Sequence, residues 1–256
     1  MRSFTALLHK EALECVRTFK LFIMAAIFLF FGMLGPIITR ILPDLLASLS
    51  VGTDVIPITL PDPSAIMAWE QFFSNIGQMG SLALLIMFCG IMAGELSKGT
   101  LIIILTKGLK RYKVILAKFL VAVALWTAMY LLGLGVSYAC TAFFWPMDGM
   151  HHVFLSFFSL WLFGVFLISM TVLGGVLLKK VIGTLLVVFG IMTVMSIVNI
   201  FPQTFRYNPI NLGGANFALL AGLMDSSDFI PSMVVCFALI VAMLVASIII
   251  FDREQI

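Results

Sequence analysis

The stretch GELSKGTLIIILTKGLKRYKVILAK, residues 94–118, lies between two long apolar runs and contains six of the chain's fifteen basic residues. Its uncharged centre, residues 100–106, is too short to cross a bilayer, because a crossing helix needs about 20 apolar residues. A short amphipathic element with basic flanks, placed between two membrane spans, is typical of the cytoplasmic membrane surface. The sequence therefore predicts a short cytoplasmic helix within 95–113.

Composition places the chain in a membrane. Of its 256 residues, 62% are hydrophobic and 11% are charged, whereas soluble domains are about 45–50% apolar and about 25% charged. This excludes a soluble protein and predicts a single transmembrane domain over 1–256. The basic residues lie at the ends of apolar runs, so we expect no nucleic-acid partner. We also expect no cleavable signal peptide, because the first apolar run follows a mixed segment and lacks a cleavage site.

Six uncharged runs are long enough to cross a bilayer, and backbone polar groups in lipid must be satisfied within each segment. The predicted fold is therefore an all-α integral membrane protein with six transmembrane helices. The runs are 21–39, 71–94, 119–147, 153–178, 181–205 and 229–251.

The first 20 residues predict an amphipathic helix that lies on the membrane, with a solvated helix without a partner as the alternative. Its basic and acidic face includes Lys10 and Glu14, which form an i,i+4 pair. Its predicted apolar stripe consists of Phe4, Leu8, Ala12, Cys15 and Phe19. The four cysteines of the chain lie far apart and mostly inside apolar runs, which predicts buried, inert thiols.

Charge sets the predicted orientation. Thirteen of the fifteen basic residues fall in segments on one side of the predicted spans, and only Arg40 and Arg206 fall on the other. Because cytoplasmic loops carry the excess of Lys and Arg, both termini are expected in the cytoplasm. The turn at Lys179 and Lys180 is so short that spans four and five must be neighbours.

Two predicted outer loops, 43–70 and 206–230, have apolar parts. Four prolines from Pro43 to Pro63 predict an irregular first half of the earlier loop. A short outer helix then leads into span two, with Trp69 at the outer membrane interface. In the later loop, a short helix dipping towards the membrane before span six is predicted by Phe217, Leu219, Leu220 and Leu223.

Small residues within the apolar runs predict close helix packing, which we expect mainly within one chain. The positions are Gly90, Gly94, Gly133, Gly135, Gly174, Gly175, Gly183 and Gly190.

The chain lacks the motifs of an enzyme or a self-powered pump. It contains neither G-x-x-x-x-G-K-[ST] nor H-E-x-x-H, and no histidine follows His152. No predicted span carries a pair of carboxylates near its middle, since Glu70 and Glu95 lie at opposite ends of span two. Ion-coupled transporters need ionisable residues at depth, so any transport by this chain requires an external source of energy.

A metal site is a further interpretation. His151 and His152 lie near Met147 and Met150 in a chain with 16 methionines, and such soft ligands suit copper. Methionine is also a common apolar filler, and we favour that interpretation over a metal site.

The central stretch resembles the segment between spans two and three of the permease subunits of type-2 ATP-binding-cassette exporters. With the first helix and the six spans, the resemblance covers nearly the whole chain. The family's acidic residue after Gly-Thr-Leu, its Pro and its Ser are replaced here by Ile102, Gly108 and Lys110. The matching residues are Glu95, Gly99, Thr100, Leu101, Leu105, Thr106, Lys107, Arg111 and Lys118.

The resemblance implies a multi-pass permease in a bacterial cell membrane, and not an enzyme. A second permease chain, identical or related, would complete the pathway. Two copies of a separate ATPase subunit would bind ATP and Mg, while this chain itself holds no cofactor. The expected cargo is hydrophobic or amphipathic, with a peptide as the first choice and a drug or a lipid as the alternatives. A metal-site maturation permease, a membrane anchor and an intramembrane enzyme are the remaining alternatives.

The resemblance also implies a coupling helix that inserts into a groove of the ATPase. Thr100 would cap this helix, and Leu101, Ile104 and Leu105 would supply its apolar face. Glu95 would pair with a basic residue such as Arg111 or one on the ATPase; the alternative is that Glu95 only marks the end of span two. The expected coupling residues are Glu95, Gly99, Thr100, Leu101, Ile104, Leu105 and Arg111.

Overall fold

The computed structural model describes residues 2–50, 62–97 and 110–253. These residues form helices and connecting turns without a strand, and six of the helices are long and apolar enough to cross a membrane. The all-α membrane fold is therefore confirmed. An N-terminal helix, Arg2–Arg17, precedes the six spans, which are Lys20–Ser50, Ala65–Ser97, Arg111–Phe144, Val153–Leu178, Val181–Val198 and Ser226–Arg253.

The two ends of the bundle differ in charge. We call one the basic end; it contains the N-terminal helix, the last turn of span two, the first turns of span three, the turn between spans four and five, and the end of span six. The opposite end contains residues 62–64, 145–152 and 199–225. Asp225, Asp228 and Glu70 are among the charged groups of the opposite end.

Span four forms the centre of the bundle, and spans two, three, five and six all pack against it. In an apolar stretch of 18 residues within span four, 67% of the residues are buried. In the corresponding stretch of span five, 11% are buried. Span five packs mainly against span four, with the two helices joined at Lys179 and Lys180, as predicted. Most of the surface of span five therefore faces outwards.

An aromatic cluster fixes the opposite end of span two against span four. Trp69 is 2% exposed, and its ring packs edge-on against Phe72 and Phe157. Its side of the helix faces span four, and its location at the level of the outer membrane interface stays a prediction. Edge-to-face aromatic pairs contribute about 0.5–1.5 kcal/mol beyond their buried area.

Several predicted boundaries differ from the structure. The span-one helix continues to Ser50 with Pro36 and Pro43 inside it, where an irregular loop from residue 43 was predicted. The helix from Ala65 is continuous with span two, so no separate outer helix precedes that span. Span five ends at Val198, where Asn199 donates to the Asn211 side-chain oxygen at 2.7 Å. Proline and polar caps act locally, but packing decides whether a helix continues past them.

Short helices do precede span six, as predicted. They are Pro202–Phe205, Asn211–Gly214 and Asn216–Leu220. Leu219 and Leu220 are buried, whereas Leu223 is 73% exposed. The Asn216 side chain anchors them by donating to the Ser156 carbonyl oxygen at 3.1 Å and to the Ser159 hydroxyl.

Glycines allow close contact between spans within this chain, as expected for Gly133, Gly174 and Gly175. A Cβ atom on Gly32 would lie 2.7 Å from the Gly133 carbonyl oxygen, so spans one and three touch through their backbones. The tightest contact was not predicted. It lies between Gly164 of span four and the buried ring of Trp126. Gly94, Gly135 and Gly190 have open space instead.

We expect Gly164→Ala to destabilise the bundle, because the new methyl group would overlap the Trp126 ring. That ring also donates to the Trp161 carbonyl oxygen at 3.0 Å and is held in place. Overpacking costs about 1–3 kcal/mol, so the midpoint of thermal unfolding in detergent should fall. Gly190→Ala is the control and should leave the midpoint unchanged, since nothing lies within 4 Å of its Cβ position. Equal midpoints for the two variants would contradict this packing.

Candidate functional site

A row of buried residues on the N-terminal helix includes a carboxylate. Leu7, Glu11 and Cys15 lie one helical turn apart, and each is at most 6% exposed. The predicted apolar stripe shares only Cys15 with this row, and its members Ala12 and Phe19 are exposed. Burial raises the pKa of the Cys15 thiol, which keeps it inert. The helix thus turns the Glu11 carboxylate, on an otherwise apolar edge, towards the bundle.

The partner of that edge is Lys118, a residue predicted to lie at the membrane surface. It lies instead inside span three, and its side chain is 1% exposed. Its ammonium group is 2.9 Å from a carboxylate oxygen of Glu11 and 2.9 Å from one of Glu95. Lys118 therefore connects the N-terminal helix, the end of span two and the beginning of span three.

A second lysine completes the cluster. The Lys10 ammonium lies 3.0 Å from Glu11, 3.2 Å from Glu14 and 2.7 Å from Glu95. The predicted pair of Lys10 with Glu14 is thus present, within a larger group. Burial alone would lower the pKa of Lys10, but its hydrogen bonds to Glu95 and Glu11 raise that pKa overall. We call these five residues the basic-end ion cluster.

The cluster includes three carboxylates, those of Glu11, Glu14 and Glu95, with oxygens within 4.8 Å of one another. Such a group suits a cation. Here the ammonium groups of Lys10 and Lys118 already contact all three carboxylates and balance most of their charge. The cluster is best described as a structural ion network and not as a metal site.

The structure gives Glu95 partners other than the suggested Arg111. The Arg111 guanidinium donates to the carbonyl oxygens of Phe251 and Asp252 at 2.7 and 3.1 Å, and it lies over the Phe251 ring. It therefore connects span three with the end of span six. The other expected coupling residues, Gly99, Thr100, Leu101, Ile104 and Leu105, lie outside the described residues.

Glu11 and Lys118 were not predicted to join Glu95 in an ion cluster. The i,i+4 spacing of Leu7, Glu11 and Cys15 was a usable signal for Glu11, because it places the carboxylate on an apolar edge. For Lys118, four apolar residues among its five preceding neighbours indicated a position inside a helix and not in a surface segment.

A second feature lies in the opposite half of the bundle. Spans two, four and five and the short helices before span six line a half-open cavity of about 610 Å³. Its apolar walls include Phe163, Phe189, Met192 and Phe217. Ligand cavities measure about 300–1,000 Å³, so this one has the size for a drug-sized apolar body.

A π-helical turn, Ile76–Gly80, shapes the wall that span two contributes. Such turns widen a helix locally and are frequent at functional sites. A Cβ atom on Gly77 would lie 2.5 Å from the Gly213 carbonyl oxygen, so the backbone of a short loop helix seals one side. The polar side chains on this wall are Glu70, Ser74, Gln78 and Ser81.

Two polar groups of the wall have no internal partner. Ser81 is 6% exposed, and its hydroxyl makes no hydrogen bond within the described part of the chain. Glu70 is exposed and forms no ion pair with any described residue. The cavity thus combines apolar walls with a carboxylate at its edge.

The histidines near the methionines make packing contacts. The backbone N–H of His151 donates to the Leu220 carbonyl oxygen at 2.8 Å, and its ring packs against Gly222. Met147 and Met150 are partly buried against the hydrophobic core. These contacts agree with methionine as an apolar filler.

No protein-family model matches the sequence, and no curated protein matches it either.

We expect Lys118→Met to destabilise the protein by about 3–5 kcal/mol, because it leaves two carboxylates without their buried partner. The double variant Glu11→Gln with Lys118→Met should lose less than the sum of the two single losses, since it removes both members of a pair. Unfolding in detergent measures both effects. Lys180→Met is the control at an exposed position and should change stability by no more than about 0.5 kcal/mol. Strict additivity would contradict a direct interaction.

Proposed function

We propose that this chain is the permease subunit of an ATP-driven exporter. It moves a hydrophobic or amphipathic cargo, a peptide in the first instance and a drug or lipid as alternatives, out of a bacterial cell. Two copies of an ATPase subunit, which bind ATP and Mg, act on residues 95–113. A second permease chain completes the pathway. The proposal is supported by the resemblance of residues 95–118 to a coupling segment and by the six-span fold.

The observation that carries the proposal is the basic-end ion cluster. Glu95 precedes residues 98–109 by three positions, and Lys118 follows them by nine. Lys118 contacts both Glu95 and Glu11, and Lys10 of the N-terminal helix contacts Glu95. Both ends of this segment are therefore held to the N-terminal helix. A push on the segment would move spans two and three and the N-terminal helix as one unit, which an ATP-driven permease requires.

Span two provides a continuous path from this cluster to the cavity. It runs from Ala65 to Ser97, 33 residues or about 50 Å of helix. Glu95 lies near one end, and the π-helical turn lies against the cavity. Movement at the base of span two would therefore change the cavity wall, which is the coupling that export needs.

The exposed apolar surface supports a place in a membrane with a partner chain. Spans one, five and six are the least buried spans, with 28%, 11% and 22% of their apolar windows buried. Lipid and a second permease chain are the partners proposed to cover these surfaces, because water would not solvate them favourably.

Orientation is proposed from the charge asymmetry and is testable by labelling. In a variant without the four native cysteines, Asp225→Cys should react with an impermeant thiol reagent on intact cells. Lys110→Cys should react only after the cells are opened, because it lies at the basic end, which we place in the cytoplasm. Labelling of Lys110→Cys, but not of Asp225→Cys, on intact cells would reverse the orientation.

Dependence on an ATPase is tested by isolating the chain from its source membranes. We expect it to copurify with an ATP-binding subunit and with ATP hydrolysis, whereas the chain alone should hydrolyse none. Leu101→Asp combined with Leu105→Asp should reduce the copurified hydrolysis by at least about tenfold, because charges would disrupt an apolar contact.

Lys180→Asp is the matched control, since it places a new acidic group at the same end of the bundle but in the turn between spans four and five. It should retain copurified hydrolysis. Hydrolysis by the isolated chain, or unchanged copurification of the double variant, would refute the proposed function.

A further inference from the structure

We propose that the cavity between spans two, four and five binds an amphipathic cation, with its apolar body inside and its positive group at Glu70. The role of this site in receiving export cargo rests on the proposed function, whereas the binding itself does not.

The volume and the walls set the size and polarity of the ligand. About 610 Å³ admits a drug-sized body or a few apolar side chains. Phe163 of span four, Phe189 of span five and Phe217 of a loop helix face this space from three elements. Aromatic faces also attract cations. An apolar or aromatic body carrying a positive charge fits such walls.

The charge of the cavity determines the sign of the charge on the ligand. Among the described residues that line it, Glu70 is the only one with a charged side chain. No described lysine or arginine lies within 4.0 Å of its carboxylate. Glu70 also borders a smaller cavity of about 80 Å³ between spans one and two. A carboxylate next to low-dielectric walls attracts cations more strongly than one in bulk water.

The part of the cavity wall that span two contributes presents polar groups to a ligand. Gln78 of the π-helical turn and Ser81, directly after it, line the cavity together with Glu70. The buried Ser81 hydroxyl has no partner among the described residues, which is a cost that a polar ligand group would offset. A neutral lipid tail would fill the volume but leave Glu70 unpaired, and an anion would be repelled. An amphipathic cation would both fill the volume and pair with the Glu70 carboxylate.

The test measures binding of two probes to the purified chain in detergent, without ATP or an ATPase. Tetraphenylphosphonium and tetraphenylborate have nearly the same shape and opposite charges. We expect Glu70→Gln to weaken binding of tetraphenylphosphonium by roughly 3- to 10-fold and not to weaken binding of tetraphenylborate. Asp225→Asn is the control, because this exposed carboxylate lines neither cavity, and it should leave both affinities unchanged.

A second variant tests the volume separately from the charge. A Cβ atom on Gly214 would meet nothing within 4 Å, and this glycine lines the cavity. Gly214→Leu should therefore fold normally, occupy cavity space and weaken tetraphenylphosphonium binding at least about fivefold. Thermal unfolding checks the fold of each variant. Unchanged tetraphenylphosphonium affinity in both Glu70→Gln and Gly214→Leu, or equal losses for both probes in Glu70→Gln, would overturn the proposal.

Competition identifies the source of the cation. Displacement of tetraphenylphosphonium by the amidated peptide Leu-Leu-Lys-Leu-Leu supports the site and assigns it to basic apolar peptides. Retained binding that depends on Glu70 but resists the peptide supports the site for small molecules. Because no ATPase is present in this assay, loss of ATPase copurification would refute the exporter function without affecting the site. Failure of the unsubstituted chain to bind tetraphenylphosphonium would refute the site alone.

Discussion

The buried ammonium of Lys118 is the constraint on which the basic end of the bundle depends. A charge in this position carries a desolvation penalty of several kcal/mol, which is offset only when its partners are in place. Glu11 and Glu95 supply them at 2.9 Å. The N-terminal helix therefore cannot leave the bundle, and spans two and three cannot separate, without exposing an unpaired charge to an apolar environment. Such a penalty makes three elements move together.

Span two connects this constraint with the cavity in the opposite half of the bundle. Its continuous helix from Ala65 to Ser97 packs on span four through a buried aromatic cluster at one end. Glu95 ties it to the ion cluster at the other end. The regular α-helical hydrogen-bond pattern changes between these ends, at the π-helical turn and again at Cys89. The wall of the cavity is thus formed by the same helical span that reaches the ion cluster at the basic end.

The sequence by itself determined the class of the fold. With 62% hydrophobic residues, the chain has to place its backbone in helices that satisfy their own hydrogen bonds in lipid. Helix formation in lipid depends on the composition of each segment by itself. On this basis the sequence predicted six spans, the N-terminal helix and the short helices before span six. It was weaker at helix ends, because Pro43 and Asn199 act through contacts as well as propensity. The sequence also placed Glu70 and Glu95 at opposite ends of span two, since their distance along a helix is fixed.

Only the tertiary structure decided which residues meet across the bundle. Glu11 and Lys118 are 107 positions apart, and helical periodicity fixes neither the rotation of a helix nor its neighbours. The burial of Trp69 against Phe157 depends on the same rotation, as does the overlap of Gly164 with Trp126. The cavity exists because elements from four parts of the chain leave space between them. These contacts depend on long-range packing between helices, which a local pattern of apolar residues does not specify.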